Sequence, residues 1–72
     1  MNIKQLEAVV EAILFTMGES VEIKKIANAL ELTTAQVKKI VKEIQKDLES
    51  EDRGIKIIEL DGAYQMCTKP EM

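Results

Sequence analysis

The sequence predicts a winged helix-turn-helix, mainly α with a β-hairpin: three helices followed by a wing. Three observations carry this. Residues 23–48 hold two runs of apolar residues at helical spacing, parted only by Leu32-Thr33-Thr34. A further helical run precedes them. After them, Asp61-Gly62 separates two runs that suit strands.

Asn2 to Met17 reads as the first helix. Ile3, Leu6, Val10, Ile13, Leu14 and Met17 recur on one face as its inward stripe, and Gly18 is placed to end it. A second stripe lies on the opposite side: Ala8, Ala12 and Phe15, with Lys4, Glu7 and Glu11 along one border. Two readings stand for it. It is either a pair of exposed alanines beside a half-covered ring, or a face on which another helix packs closely.

Glu19-Ser20-Val21 is a short connection and the one candidate for the extra strand that winged helices often place between helices. The second helix runs Ile23 to Glu31. Glu22 is a mediocre cap for it, with Ser20 close by and Val21 and Ile26 as a staple. Ile23, Ile26, Ala27 and Leu30 form its buried face; Lys24, Lys25 and Asn28 face water.

The third helix runs Thr34 to Leu48. Thr33 is its N-cap, Gln36 completes a capping box, and Leu32 with Val37 forms a hydrophobic staple. Val37, Ile40, Val41, Ile44 and Leu48 point inward. Outward stand Lys38, Lys39, Lys42, Gln45 and Lys46: from Val37 to Lys46 there are four lysines against one glutamate, a local charge of +3. Glu49 to Asp52 reverses the sign at the helix end, and Arg53-Gly54 turns the chain.

Ile55 to Leu60 is rich in β-branched residues and reads as a strand. Asp-Gly is a two-residue hairpin loop, so Leu60 pairs with Ala63 and Ile58 with Gln65. Alternation puts Ile55, Ile57, Tyr64 and Met66 on the helices; Lys56, Ile58, Leu60, Ala63, Gln65 and Cys67 face out, apolar enough to invite a contact. Pro70 stops the second strand. The chain then ends at Glu71-Met72 with no capping element, which leads us to expect a longer natural protein.

The 72 residues are one domain. A domain this small buries only about 60% of its unfolded surface, so a partner or a second copy is a useful supplement to stability. Cys67 is the lone cysteine and there is no histidine. Neither an internal disulfide nor a metal site is expected, and a reducing, intracellular home fits. No apolar run nears the ~20 residues of a membrane span, and Glu7 and Glu11 interrupt any signal-peptide pattern. The net charge of −3 is not the basic surplus of a nucleic-acid binder.

An enzyme is not expected. There is no glycine-rich phosphate loop. Glu51 and Asp52 read as a solvated helix end, Cys67 as a structural thiol with no base beside it, and Tyr64-Gln65 as a core ring next to an edge amide. No cofactor is implied.

Two longer blocks carry a family resemblance. Residues 11–30, EAILFTMGESVEIKKIANAL, are similar to the pattern EAxLFxxGEPVxxxxLAxxL of bacterial segregation and condensation protein B. Residues 53–71, RGIKIIELDGAYQMCTKPE, are similar to that family's wing, with Arg53, Gly54, Gly62, Tyr64, Gln65, Thr68 and Pro70 matching. Ser20, Glu22 and Ala63 depart from the pattern, where proline, a Ser/Thr cap and a second glycine are usual. The resemblance implies a non-enzymatic subunit that works in the cytoplasm at the nucleoid. Its partners are the kleisin subunit, segregation and condensation protein A, and through it the SMC ATPase, in chromosome condensation and segregation. It also implies that this is the first of two winged-helix domains and that it pairs with itself. Candidate interface residues are Ala8, Ala12 and Phe15, then Ile58 and Leu60.

The alternative is a winged-helix transcriptional regulator that reads DNA through Lys38, Lys39, Lys42, Gln45 and Lys46. The third helix carries no arginine, and Asp61 at the wing tip would repel phosphate. Direct DNA binding is therefore not expected.

Overall fold

The computed structural model describes residues 2–50 and 54–69. The elements run α1 (Ile3–Met17), β1 (Val21–Glu22), α2 (Ile23–Leu30), α3 (Thr34–Ser50), β2 (Ile55–Leu60) and β3 (Ala63–Thr68). This is the expected winged helix: three helices and a three-stranded antiparallel sheet. The positions Glu51, Asp52, Arg53, Pro70, Glu71 and Met72, to which the sequence assigns a helix end, a turn, a strand stop and a terminus, lie outside the described residues.

α1 is closed at both ends. Asn2 Oδ1 accepts from the Gln5 amide at 2.9 Å and Gln5 Oε1 accepts from the Asn2 amide at 3.0 Å, a capping box. Gly18 takes φ 66°, the left-handed conformation that suits glycine, and its amide reaches the Leu14 carbonyl.

At the start of α2 no side chain caps the helix. The Ile23 amide donates instead to the Gly62 carbonyl at 3.0 Å, so the wing turn meets a donor that would otherwise be orphaned. The helix ends at Leu30, one residue short of the expected Glu31. Glu31 is left-handed at φ 57° and its amide closes back on Ala27 and Asn28. Thr33 and Gln36 form the expected box that starts α3: Thr33 Oγ1 accepts from the Gln36 amide at 3.1 Å, and Gln36 Oε1 accepts from the Thr33 amide at 2.9 Å. α3 continues past Leu48 to Ser50. Its last carbonyls find donors: Lys69 Nζ reaches Leu48 O at 3.0 Å and Ser50 Oγ reaches Asp47 O at 3.2 Å.

The hairpin has the expected register, Leu60 with Ala63 and Ile58 with Gln65. Asp61 and Gly62 both have positive φ, 46° and 78°, as a type I′ turn requires. The extra strand forms at Val21–Glu22, sharing only Val21 with the Glu19-Ser20-Val21 candidate. Val21 pairs with Tyr64 and Glu22 with Ala63, giving the order β1-β3-β2.

The core is wholly apolar. Val10, Leu14, Ile26, Val37 and Val41 are fully enclosed, and Ile57 and Tyr64 close it from the sheet. All five inward positions expected on α3 are buried. Two expectations need correction. Ile3 and Met17 lie on the inward stripe but are 53% and 51% exposed. Helices that cross at an angle touch only near the crossing, so the two ends of α1 project past what covers its centre. Ala63, expected on the outer face of the hairpin, is buried. β1 pairs beside it and the start of α2 is tied to the neighbouring Gly62, so this end of the hairpin is drawn against the helices and a side chain of one carbon is enclosed.

Candidate interaction surfaces

Three surfaces of the molecule have a chemical character of their own. The first is the outer side of α1. Ala8, Ala12 and Phe15, spaced by four and three residues, all stand exposed. Phe15 is 73% exposed, the most exposed of the large apolar side chains described. Beside it runs a shallow groove of about 360 Å³ lined by Val9, Ala12, Ile13, Thr16 and Met17, apolar but for one hydroxyl. Ridge and groove thus share Ala12. One border of the ridge is charged, where Lys4 Nζ and Glu7 lie 3.8 Å apart. A contiguous apolar surface of this kind is the usual mark of an interface.

The second is the outer face of the wing. Leu60 is 46% exposed, while Ile58, Gln65 and Cys67 are half-buried. Only Leu60 is free enough to be an anchor.

The third is the lysine-rich side of α3. Lys38, Lys39, Lys42 and Lys46 are exposed as expected. Lys46 lies 3.9 Å from Glu43, a solvated pair of little energetic weight. Gln45 corrects the outward set: it is half-buried, and its Nε2 donates to the Ile57 carbonyl at 2.9 Å. A helical wheel alone shows it next to the lysines, and no local signal reveals that the sheet comes back to meet it. Between α3 and β2 the lysines open onto a groove of about 560 Å³. Lys42, Gln45 and Lys46 form its helix wall with Leu48 and Glu49, and Lys56, Ile57 and Lys69 form its sheet wall. No local pattern singles out Lys69, because its partner lies 21 residues away.

Burial, with a lesser push from the nearby Glu59 carboxylate, holds the Tyr64 phenol above its ordinary value. Among the described residues no three His, Cys, Asp or Glu side chains gather into a metal site, and no helix is long and apolar enough to cross a membrane.

Residues 8–72 match the family described as segregation and condensation complex subunit ScpB. This chain belongs to the ScpB family. Segregation and condensation protein B of Lachnoclostridium phytofermentans is 54% identical over the whole chain, and that of Agathobacter rectalis is 57% identical over 92% of it. The chain spans 38% and 36% of the length of those two ScpB relatives, so it corresponds to little more than a third of them. Its fold superposes with a TM-score of 0.90 on the crystal structure of a dimer of an ScpB N-terminal domain complexed with ScpA peptide. That match is 37% identical and covers 96% of this chain and 86% of that one. Both sequence blocks that resemble segregation and condensation protein B lie within the matched residues, and with Ser20, Glu22 and Ala63 in place the chain still adopts the fold of that ScpB N-terminal domain. The Gly62 carbonyl holds the start of α2 where Glu22 offers no cap, and Ala63 pairs with Glu22 in the sheet.

Proposed function

We propose that this chain is the N-terminal, self-pairing domain of a non-enzymatic ScpB subunit acting in bacterial chromosome condensation and segregation. The observation that carries this is Phe15, a large aromatic left almost bare on a ridge of alanines beside an apolar groove. A standard interface removes about 800 Å² per partner from water, and an exposed aromatic with small neighbours is the anchor such a contact uses. Ala8 and Ala12 let a second helix come close. Leu60, with Ile58 behind it, is the second-choice surface. The related dimer bound to ScpA peptide supports a paired state and an ScpA partner. The proposal extends this to the SMC ATPase, joined through that kleisin in the cytoplasm at the nucleoid.

A DNA-reading regulator is the weaker proposal. Gln45, the amide best suited to a base edge, is occupied by Ile57, and Asp61 sits at the wing tip.

Sedimentation equilibrium of the chain and of Phe15→Glu tests the reading. The wild-type chain should sediment as a dimer and the variant as a folded monomer. A wild-type chain that remains a monomer at high concentration overturns it; a Phe15→Glu chain that stays folded and dimeric removes α1 from the interface.

A further inference from the structure

We infer that the groove between α3 and β2 is a docking site for a short, extended acidic peptide segment of a partner protein. The chain as a whole carries −3, yet this groove is lined by four lysines, Lys42, Lys46, Lys56 and Lys69, and one carboxylate, Glu49, with Glu43 beside Lys46 outside the lining. Positive charge is thus concentrated in a concave polar feature of an acidic domain. Such a field draws in and orients a negatively charged segment.

The walls are preorganised. Gln45 is bonded to Ile57, which fixes the helix against the sheet, and Lys69 is held by the Leu48 carbonyl at the groove's end. A volume of about 560 Å³ takes a few residues of chain. The Gln45 bond also decides how a segment lies there. It occupies the Ile57 carbonyl on the free edge of β2, so the peptide does not add as a further strand. Its carboxylates meet the lysines instead.

Nucleic acid fits this groove less well. A duplex is read by a helix that projects into it, whereas here the lysines line a recess, and Glu59 and Asp61 sit on the wing. Single strands are held by aromatic rings on which bases stack, and no aromatic residue lines the groove.

The test is a fluorescence-anisotropy titration of the chain with a labelled peptide of alternating Glu and Leu, at low salt. The same peptide with Gln for Glu, a short DNA duplex and a short single strand serve as competing probes. Lys42→Glu with Lys46→Glu should weaken Glu-peptide binding about tenfold. Lys38→Glu with Lys39→Glu makes the same charge change on the same helix outside the groove, and should weaken it far less. Lys56→Gln, on the opposite wall, should also weaken it. Equal losses in the two double variants overturn the proposal, as does no effect of Lys56→Gln. So do absence of binding to the Glu peptide, binding of the Gln peptide just as tightly, and tighter binding of either DNA.

Discussion

Gln45 Nε2 and the Ile57 carbonyl oxygen lie 2.9 Å apart and join the third helix to the outermost strand. In a two-residue hairpin the pair flanking the loop exchanges hydrogen bonds, so Leu60, Ile58 and Lys56 turn their backbone groups toward β3. Ile57 turns its groups to the free edge. An open edge invites a stray strand, and here its central acceptor is taken by a side chain. Gln45→Ala should lower stability by about 1 kcal/mol, read as a lower urea midpoint with unchanged slope. Gln45→Glu should cost more, because a carboxylate cannot donate and would face a carbonyl. A Gln45→Glu chain as stable as wild type would show that the bond contributes nothing.

The Thr33 and Gln36 box can be tested by itself, since both residues are exposed and no packing changes with them. Thr33→Ala should cost about 1 kcal/mol, a fall in Tm of roughly 4–8 °C for a domain this small. Calorimetry or circular dichroism measures it, and an unchanged Tm would mean that the cap is redundant.

Leu14 and Phe15 are neighbours in the chain with opposite surroundings, one enclosed in the core and one in water. Leu14→Ala should remove about 2–5 kcal/mol, comparable to the ~3–5 kcal/mol such a core supplies, and leave much of the chain unfolded. Phe15→Ala should change the monomer's stability by no more than about 0.5 kcal/mol. If Phe15 anchors a dimer, the wild-type Tm rises with protein concentration and that of Phe15→Ala does not. Equal concentration dependence in the two would assign pairing to another surface.

Tyr64 links stability to alkaline pH. Its phenol is held above its ordinary value of 10.0, chiefly by burial and secondarily by Glu59. Below that value both folded and unfolded chains keep the proton, and the full stability is present. As pH rises past it, the unfolded chain ionises first, so stability falls until the folded-state value is passed. Tyr64→Phe should flatten this part of the decline. The two chains differ only in the phenol oxygen, so the difference between their stability curves isolates it. Parallel curves would contradict the shift.

Much of this molecule is legible along the chain because its signals are local. The Thr33 box joins residues three apart, Gly18 and Asp61-Gly62 need a left-handed backbone at their own positions, and the α3 stripe repeats within one helix. Such features depend on neighbours a few residues away, and those the sequence contains. The exposed ridge of Ala8, Ala12 and Phe15 is legible for the same reason, since a helix sorts its own faces.

What the tertiary structure decided lies where distant segments meet. Gly62 ends the search for a cap on α2, Gln45 leaves the lysine face for Ile57, Lys69 closes α3, and Ala63 is buried where β1 pairs beside it. In each case a polar group or a small side chain had several local fates of similar energy, and the partner that settled it arrives only when the wing folds back on the helices. Periodicity fixes which side of an element is apolar; only packing fixes how far along that side the cover extends, which is why Ile3 and Met17 share a stripe with Val10 and Leu14 yet stay in water.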